Sequence, residues 1–252
     1  MKALIWDVDG TLAETERDGH RVAFNGAFAE SGLAWHWDER RYGELLRITG
    51  GKERIAAWWR QLDPAAAAAP DAAERIARLH ALKTRHYEAL VAAGAVSLRP
   101  GVERLLRAAR AEGLTLAIAT TTTPVNVHAL LQHTLGAEAI GWFACIGAGD
   151  IVARKKPAPD IYHHVLAALG LAPHEALAIE DSQPGVAAAV AAGVPVVAVR
   201  SAYSKDDGFE GALAVLDALE PADPSAGAAV TLAWLREQHA RGPALAGTLA
   251  AV

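Results

Sequence analysis

Ala3-Leu4-Ile5-Trp6-Asp7-Val8-Asp9-Gly10-Thr11 stands almost at the start of the chain, and its reading decides the rest. Four consecutive apolar residues are too few for a helix and read as a short buried strand. Successive side chains of a strand face opposite ways, so Asp7 and Asp9 share one face at its carboxyl end while Val8 points inward. Gly10 lets the chain turn sharply there. Working outward, four further apolar runs read as strands: residues 114–119, 143–147, 176–179 and 194–199. Stretches with helical spacing lie around and between them, at residues 102–111, 125–131, 161–169 and 186–192. Strand and helix alternate, which implies an α/β fold built on a Rossmann-like parallel sheet with helices on both faces.

The first interval breaks that alternation. Residues 15–95 are long, mostly helical in pattern, and carry Trp35, Trp37, Trp58 and Trp59. Pro64 and Pro70 bracket the alanine run 65–69, which reads as a connection between helices with one short turn. Arg99-Pro100-Gly101 marks the return to the sheet, because Pro disfavours helix in the residue before it. The expected organisation is an α/β core of residues 1–14 and 96–252 with an α-helical subdomain, 15–95, inserted in it. Gly242-Pro243 breaks the tail from His239 to Val252, which is expected to fray.

Composition narrows the functional classes. Of 252 residues 52% are hydrophobic and 21% charged, enough apolar surface to exclude a disordered chain. Lys+Arg 24 against Asp+Glu 29 gives net −5, so nothing in the balance attracts nucleic acid or an anionic membrane. Cys145 is the single cysteine, which excludes an internal disulfide and a thiolate zinc cage. Asp7 and Asp9 interrupt the stretch a secretory peptide would need, and the most apolar window, residues 185–199, falls short of the roughly 18 residues of a membrane span. A cytoplasmic monomer is expected.

Open parallel sheets bind ligands beyond the carboxyl ends of their strands, where Asp7 and Asp9 stand. A calcium loop starting at Asp7 fails, with Leu12 in place of its glycine and Asp18 in place of its glutamate. Gly51-Lys52 is not the end of a Walker loop, since Glu53 and Leu46 replace required residues. Gly147-Ala148-Gly149 lacks the third glycine of a dinucleotide fingerprint. What remains is a coincidence at one rim. The second strand ends in the hydroxyls Thr120 to Thr123, Lys155-Lys156-Pro157 follows the third, and Glu180-Asp181-Ser182 follows the fourth.

A carboxylate pair, a hydroxyl, an ammonium and a second acidic pair are what phosphate chemistry requires. Enzymes accelerate phosphate monoester hydrolysis by up to ~10²¹-fold, and a general acid supplies only about 10² to 10⁴ of that. A carboxylate nucleophile approaching a phosphate dianion meets repulsion of roughly 8 kcal/mol at about 4 Å with an effective dielectric of about 20. Cations must therefore be in place first. Hard oxygen ligands select Mg²⁺. The expected roles are Asp7 as nucleophile, Asp9 as general acid and base, Thr120 as phosphoryl donor, Lys156 as counter-charge, Asp181 with Asp7 as metal ligands, and Glu180 orienting metal-bound water. A phosphoaccepting signalling module uses similar groups, but such domains are shorter and lack the insertion.

Taken together, Asp7-Val8-Asp9-Gly10-Thr11-Leu12, Thr120, Lys156-Pro157 and Glu180-Asp181-Ser182 resemble the haloacid dehalogenase superfamily of phosphatases, in that family's order and over the whole chain. The resemblance implies an aspartyl-phosphate on Asp7, a metal contact from the backbone carbonyl of Asp9, and a helical cap formed by the insertion. It is finer with the branch that includes β-phosphoglucomutase, phosphoglycolate phosphatase and xylulose-1,5-bisphosphate phosphatase. Ala13-Glu14-Thr15-Glu16, Thr49-Gly50-Gly51-Lys52-Glu53-Arg54, His80 with Lys83, and Thr120-Thr121-Thr122 carry that likeness. It implies that Glu16, Gly50, Gly51, Lys52, Glu53, Arg54, His80, Lys83, Thr121, Thr122 and Asn126 contact substrate. Cations near Lys156 and, in the cap, at Lys52, Arg54 and Lys83 suggest a substrate with phosphate at both ends, xylulose 1,5-bisphosphate first among them. The alternatives are a phosphomutase or a phosphoglycolate phosphatase. The cap tryptophans read as core, though Trp35 or Trp37 could face the cleft.

Overall fold

A computed structural model of the protein describes residues 1–223, 225 and 227–249. Strand β1 (Ala3–Trp6) leads through a wide helical turn, Glu16–His20, into α1 (Arg21–Glu30). Then come α2 (Glu39–Leu45), α3 (Gly51–Leu62), the short α4 (Pro64–Ala67) and α5 (Ala72–Ala92). The chain returns through α6 (Val102–Ala111), β2 (Thr115–Ala119), α7 (Pro124–Leu135) and β3 (Phe143–Gly147). Next are α8 (Asp160–Leu169), β4 (Ala176–Glu180), α9 (Gln183–Ala191), β5 (Val196–Val199), β6 (Ala214–Leu216) and α10 (Leu232–Leu249). Six parallel strands lie in the order β3-β2-β1-β4-β5-β6. The fold is thus the expected α/β, Rossmann-like arrangement. Trp6 stands opposite both Ile118 and Ile179, so the residues after β1, β2 and β4 emerge together where the strand order reverses.

Alternation along the strands builds two unlike faces. Leu4, Trp6, Leu116, Ile118, Leu177, Ile179, Val197 and Val199 form one core layer with the roots of the insertion, α6 and α7. Ala3, Ala117, Ala119, Ala176, Ala178 and Ala198 face the other way, and their small side chains let α8 and α9 pack closely. Every one of these residues is buried, as expected of a parallel sheet covered on both sides.

Two expectations need correction. Strand β6 had no counterpart in the sequence reading, because a three-residue, half-exposed edge strand carries no readable alternation and forms only through its pairing with β5. The tail does not break at Gly242-Pro243 but continues as helix to Leu249, anchored where Leu232, Leu235, Gln238 and His239 are buried. Residues 250–252 of that tail lie outside the described residues. Among the described residues no helix is long and apolar enough to cross a membrane.

The insertion has its own core of Phe24, Phe28, Trp37, Tyr42, Leu45, Ile55 and Leu79. Trp37 is fully buried, and Asn25 accepts from its amide at 2.8 Å and donates to its carbonyl at 2.9 Å, as a strand neighbour would. Trp35 lies edge-on to Phe28 and against Trp59, so neither tryptophan faces the cleft. Entry and exit run side by side: Ala13 bridges Leu98, and Arg99 N–H donates to the Leu12 carbonyl at 2.9 Å. Tyr87 and Val91 of α5 reach down into the main core and root the insertion on the sheet.

Candidate active site

Asp7 continues the ladder one residue past β1, its N–H donating to the Ile179 carbonyl at 3.0 Å. Gly10, at φ +85°, is obligatory: a Cβ there would fall 2.0 Å from Asp181 Oδ2. The turn thereby brings the loop after β1 against the loop after β4, where Thr11 Oγ1 donates to Asp181 Oδ1 at 3.3 Å.

Lys156 is buried and uses all three ammonium protons, on Asp7 Oδ1 at 2.6 Å, Glu180 Oε1 at 2.6 Å and the Ala119 carbonyl at 2.8 Å. Its neighbour Lys155 turns instead to Glu53 and Asp150. Burial alone would lower the Lys156 pKa, but Asp7 and Glu180 outweigh it and raise it. Burial pushes Asp7 up to about 7 against the pull of Lys156, with Glu180 and Asp9 adding to the rise. Burial, with the Asp7 charge, also raises Asp181 well above the carboxylate range. Glu180 ends β4 fully buried, and its Oε1 takes a second proton donor, Tyr162 OH, at 2.5 Å. Its Oε2 is buried with no partner.

Asp7, Glu180 and Asp181 each offer one oxygen, all within 4.8 Å of one another. Three buried carboxylates facing one ammonium leave negative charge uncompensated, and hard oxygen donors suit a divalent cation such as magnesium. The residues present therefore fit that ion.

Asp9 shares the face of Asp7, but its carboxylate is turned towards the root of the insertion. Its Oδ1 accepts from Thr15 Oγ1 at 2.5 Å and from His20 Nε2 at 2.8 Å. Lys83 Nζ lies 2.8 Å from His20 Nδ1. An ammonium can only donate, so the imidazole carries its proton on Nε2 and gives it to Asp9. Burial would raise the Asp9 pKa, yet His20, Thr15 and Lys83 outweigh it and hold it down to about 2. Burial lowers Lys83 to about 8. His20, packed 4.2 Å from the Tyr87 ring, escaped the sequence reading because no spacing distinguishes it from nine other histidines.

Two neighbouring spaces open from this rim. The larger, of about 660 Å³, is lined by Asp7, Asp9, Lys156 and Asp181 below and by Thr49 and Arg54 above. The smaller, of about 40 Å³, is lined by Glu16, Gly50, Gly51, Lys52, Arg54, His80, Lys83, Thr121, Thr122, Asp150 and Lys155. Asp9, Glu16, Arg54 and Thr121 border both. Arg54 is buried and fixed by the carbonyls of Leu45 and Ile48 and by Tyr42 OH at 3.0 Å, while Tyr42 OH donates to Glu16 Oε2 at 2.5 Å. Burial, aided by Lys83 and Lys52, lowers His80 to about 3, so the ring is neutral. Thr120 Oγ1 accepts from the Thr122 amide at 3.3 Å, which leaves its own proton to give. Glu53 and Asn126 line neither space: Glu53 pairs with Lys155, and Asn126 donates to Thr122 Oγ1 at 3.2 Å from behind the loop.

Comparison with protein families matches residues 1–193 to the haloacid dehalogenase-like hydrolases. The chain belongs to that family and is a phosphatase. It is 54% identical over 225 residues to protein CbbY of Cupriavidus necator, covering 89% of this chain and 88% of that one. Two crystal structures of CbbY from Rhodobacter sphaeroides superpose with a TM-score of 0.80 at 45% identity, over 86% of this chain and 94% of theirs. One holds phosphate, and the other, a mutant, holds xylulose-(1,5)bisphosphate.

Proposed function

We propose that this protein is a magnesium-dependent phosphatase of a small sugar bisphosphate, with xylulose 1,5-bisphosphate as the substrate, and that the insertion 15–95 acts as its cap. The observation that carries this reading is a pair of spaces that share Asp9, Glu16, Arg54 and Thr121 in their walls. Asp7, Lys156 and Asp181 line one, and the other borders four cationic side chains, Lys52, Arg54, Lys83 and Lys155. A CbbY structure holding xylulose-(1,5)bisphosphate supports the same substrate class.

In this reading Asp7 attacks phosphorus and forms an aspartyl-phosphate, while the sugar oxygen leaves. Lys156 holds Asp7 in place and offsets the charge of the phosphoryl oxygens, and Thr120 donates to one of them. Asp7, Asp181 and the Asp9 carbonyl would hold magnesium, whose charge shields the dianionic phosphoryl group from the nucleophile. Glu180 positions Lys156 through its Oε1, which Tyr162 also holds, and its unpartnered Oε2 is left to orient a metal-bound water. Asp9 supplies the proton to the leaving oxygen and later takes one from the water that cleaves the intermediate. Bound to Thr15 and His20 it is ionised, so it must leave those partners to act as an acid. Arg54, Lys52 and Lys83 meet the second phosphate, and Glu16 and His80 contact the sugar between.

The test is kcat/KM for xylulose 1,5-bisphosphate, phosphoglycolate, glucose 1-phosphate and an aryl phosphate, with magnesium and with chelator. The bisphosphate is expected to lead by at least about 100-fold, with turnover lost on chelation. A monophosphate turned over equally well would end the bisphosphate reading, and chelator-resistant turnover would end the magnesium one.

A further inference from the structure

The smaller space holds more charge than the proposed function uses. Lys52 rises from the insertion and Lys155 from the core, and between them stands Asp150, whose Oδ2 lies 2.7 Å from Lys52 Nζ and whose Oδ1 lies 2.9 Å from Lys155 Nζ. One carboxylate with an ammonium on each oxygen is the arrangement a phosphate or carboxylate of a ligand would take. Asp150 is loosely held, its side chain 58% exposed, whereas that of Lys155 is 13% exposed and braced by Glu53 at 2.8 Å. At about 40 Å³ the space has room for on the order of one water and none for a phosphate. An anion that pairs with both ammonium groups takes the place of Asp150.

We propose that Asp150 is a built-in competitor for the substrate's second anionic group, and that Lys155 joins Lys52 in binding that group once Asp150 is displaced. This rests on the bisphosphate reading above and makes Asp150 a determinant of specificity. An ion pair as exposed as this one is weak, so a dianion displaces it readily. A substrate whose far end is neutral cannot, because it would break two ion pairs and replace neither. The Lys52–Asp150 and Lys155–Glu53 pairs join the insertion to the core, so the two parts stay bridged when the ligand takes the place of Asp150.

Two variants and two readouts decide this. Asp150→Asn is expected to lower the ratio of KM for the bisphosphate to KM for an aryl phosphate about threefold, the size of an exposed ion pair. Lys155→Met is expected to raise that ratio about tenfold. Sulfate titrated calorimetrically into the magnesium-free protein reads the space without reference to any sugar. Its binding should tighten about threefold in Asp150→Asn and weaken about tenfold in Lys155→Met. Sulfate affinity equal in all three proteins, or weakened by Asp150→Asn, would overturn the proposal and identify Asp150 as a mere latch. If the sulfate shifts appear but wild type shows no preference for the bisphosphate, the substrate reading has failed and the competition stands. If the preference is present but neither readout moves, the competition has failed and the substrate reading stands.

Discussion

The sheet rim and the insertion each set a lysine against carboxylates, and they do it with opposite degrees of burial. Lys156 is 4% exposed with three fixed acceptors, whereas the side chain of Lys52 is 43% exposed and held by one carboxylate. Burial at the rim strengthens every charge interaction and allows no adjustment, which suits bond-making at one phosphorus atom. Exposure at the insertion makes each pair weak and replaceable, which suits recognition of a group that comes and goes.

The sharpest way to break this contrast is at the nucleophile. Asp7→Asn is expected to cost at least about 10⁴ in kcat, read as phosphate release at saturating magnesium, while the circular dichroism spectrum stays that of wild type. Near-native turnover would remove the covalent mechanism. Lys156→Met should come next, because it strands Asp7 and Glu180 as buried charges. The expected loss is about 3 kcal/mol of unfolding free energy in urea, together with loss of turnover. A stability change below about 0.5 kcal/mol would show that Lys156 does not offset buried charge at the rim.

Lys52→Ala sharpens the comparison from the other side. KM for the bisphosphate should rise about tenfold and far more than for an aryl phosphate, with stability within about 0.5 kcal/mol of wild type. Equal effects on both substrates would end the assignment of Lys52 to the second phosphate. Arg54 is a poorer probe, since it is buried and bonds Tyr42 and two carbonyls. The smallest expected effect is one of pH. Burial holds Lys83 near 8, so its charge is present below that value and lost above it. KM for the anionic substrate should therefore climb about two- to threefold as pH passes 8, and Lys83→Arg should abolish the climb.

Much of the sheet was legible because strands buried on both faces read as short continuous apolar runs. Ala3–Trp6 and Phe143–Gly147 match their apolar runs residue for residue, and Asp7, Thr120, Lys156 and Asp181 follow strands whose carboxyl ends must share one rim. The edge strand β6 and the length of α10 were not legible, since one depends on a neighbour's backbone and the other on anchoring against the core. Partners at the site were harder still. His20 reaches Asp9 across 11 residues and Lys83 reaches His20 across 63, distances over which no local pattern carries information. Thr15, by contrast, lies within the stretch quoted for its likeness, yet its bond to Asp9 is visible only once the turn is folded.

From sequence alone came the alternation of strand and helix, the position of the insertion, and the four groups delivered to one rim. Each of these depends on short-range periodicity or on the common polarity of parallel strands. Tertiary structure alone decided which partners keep Asp9 ionised, that Glu180 bonds Lys156, and that Asp150 stands between two cations from different parts of the fold. Those are contacts between side chains far apart in the chain, and their strength depends on burial, which no residue has until the whole chain has packed around it.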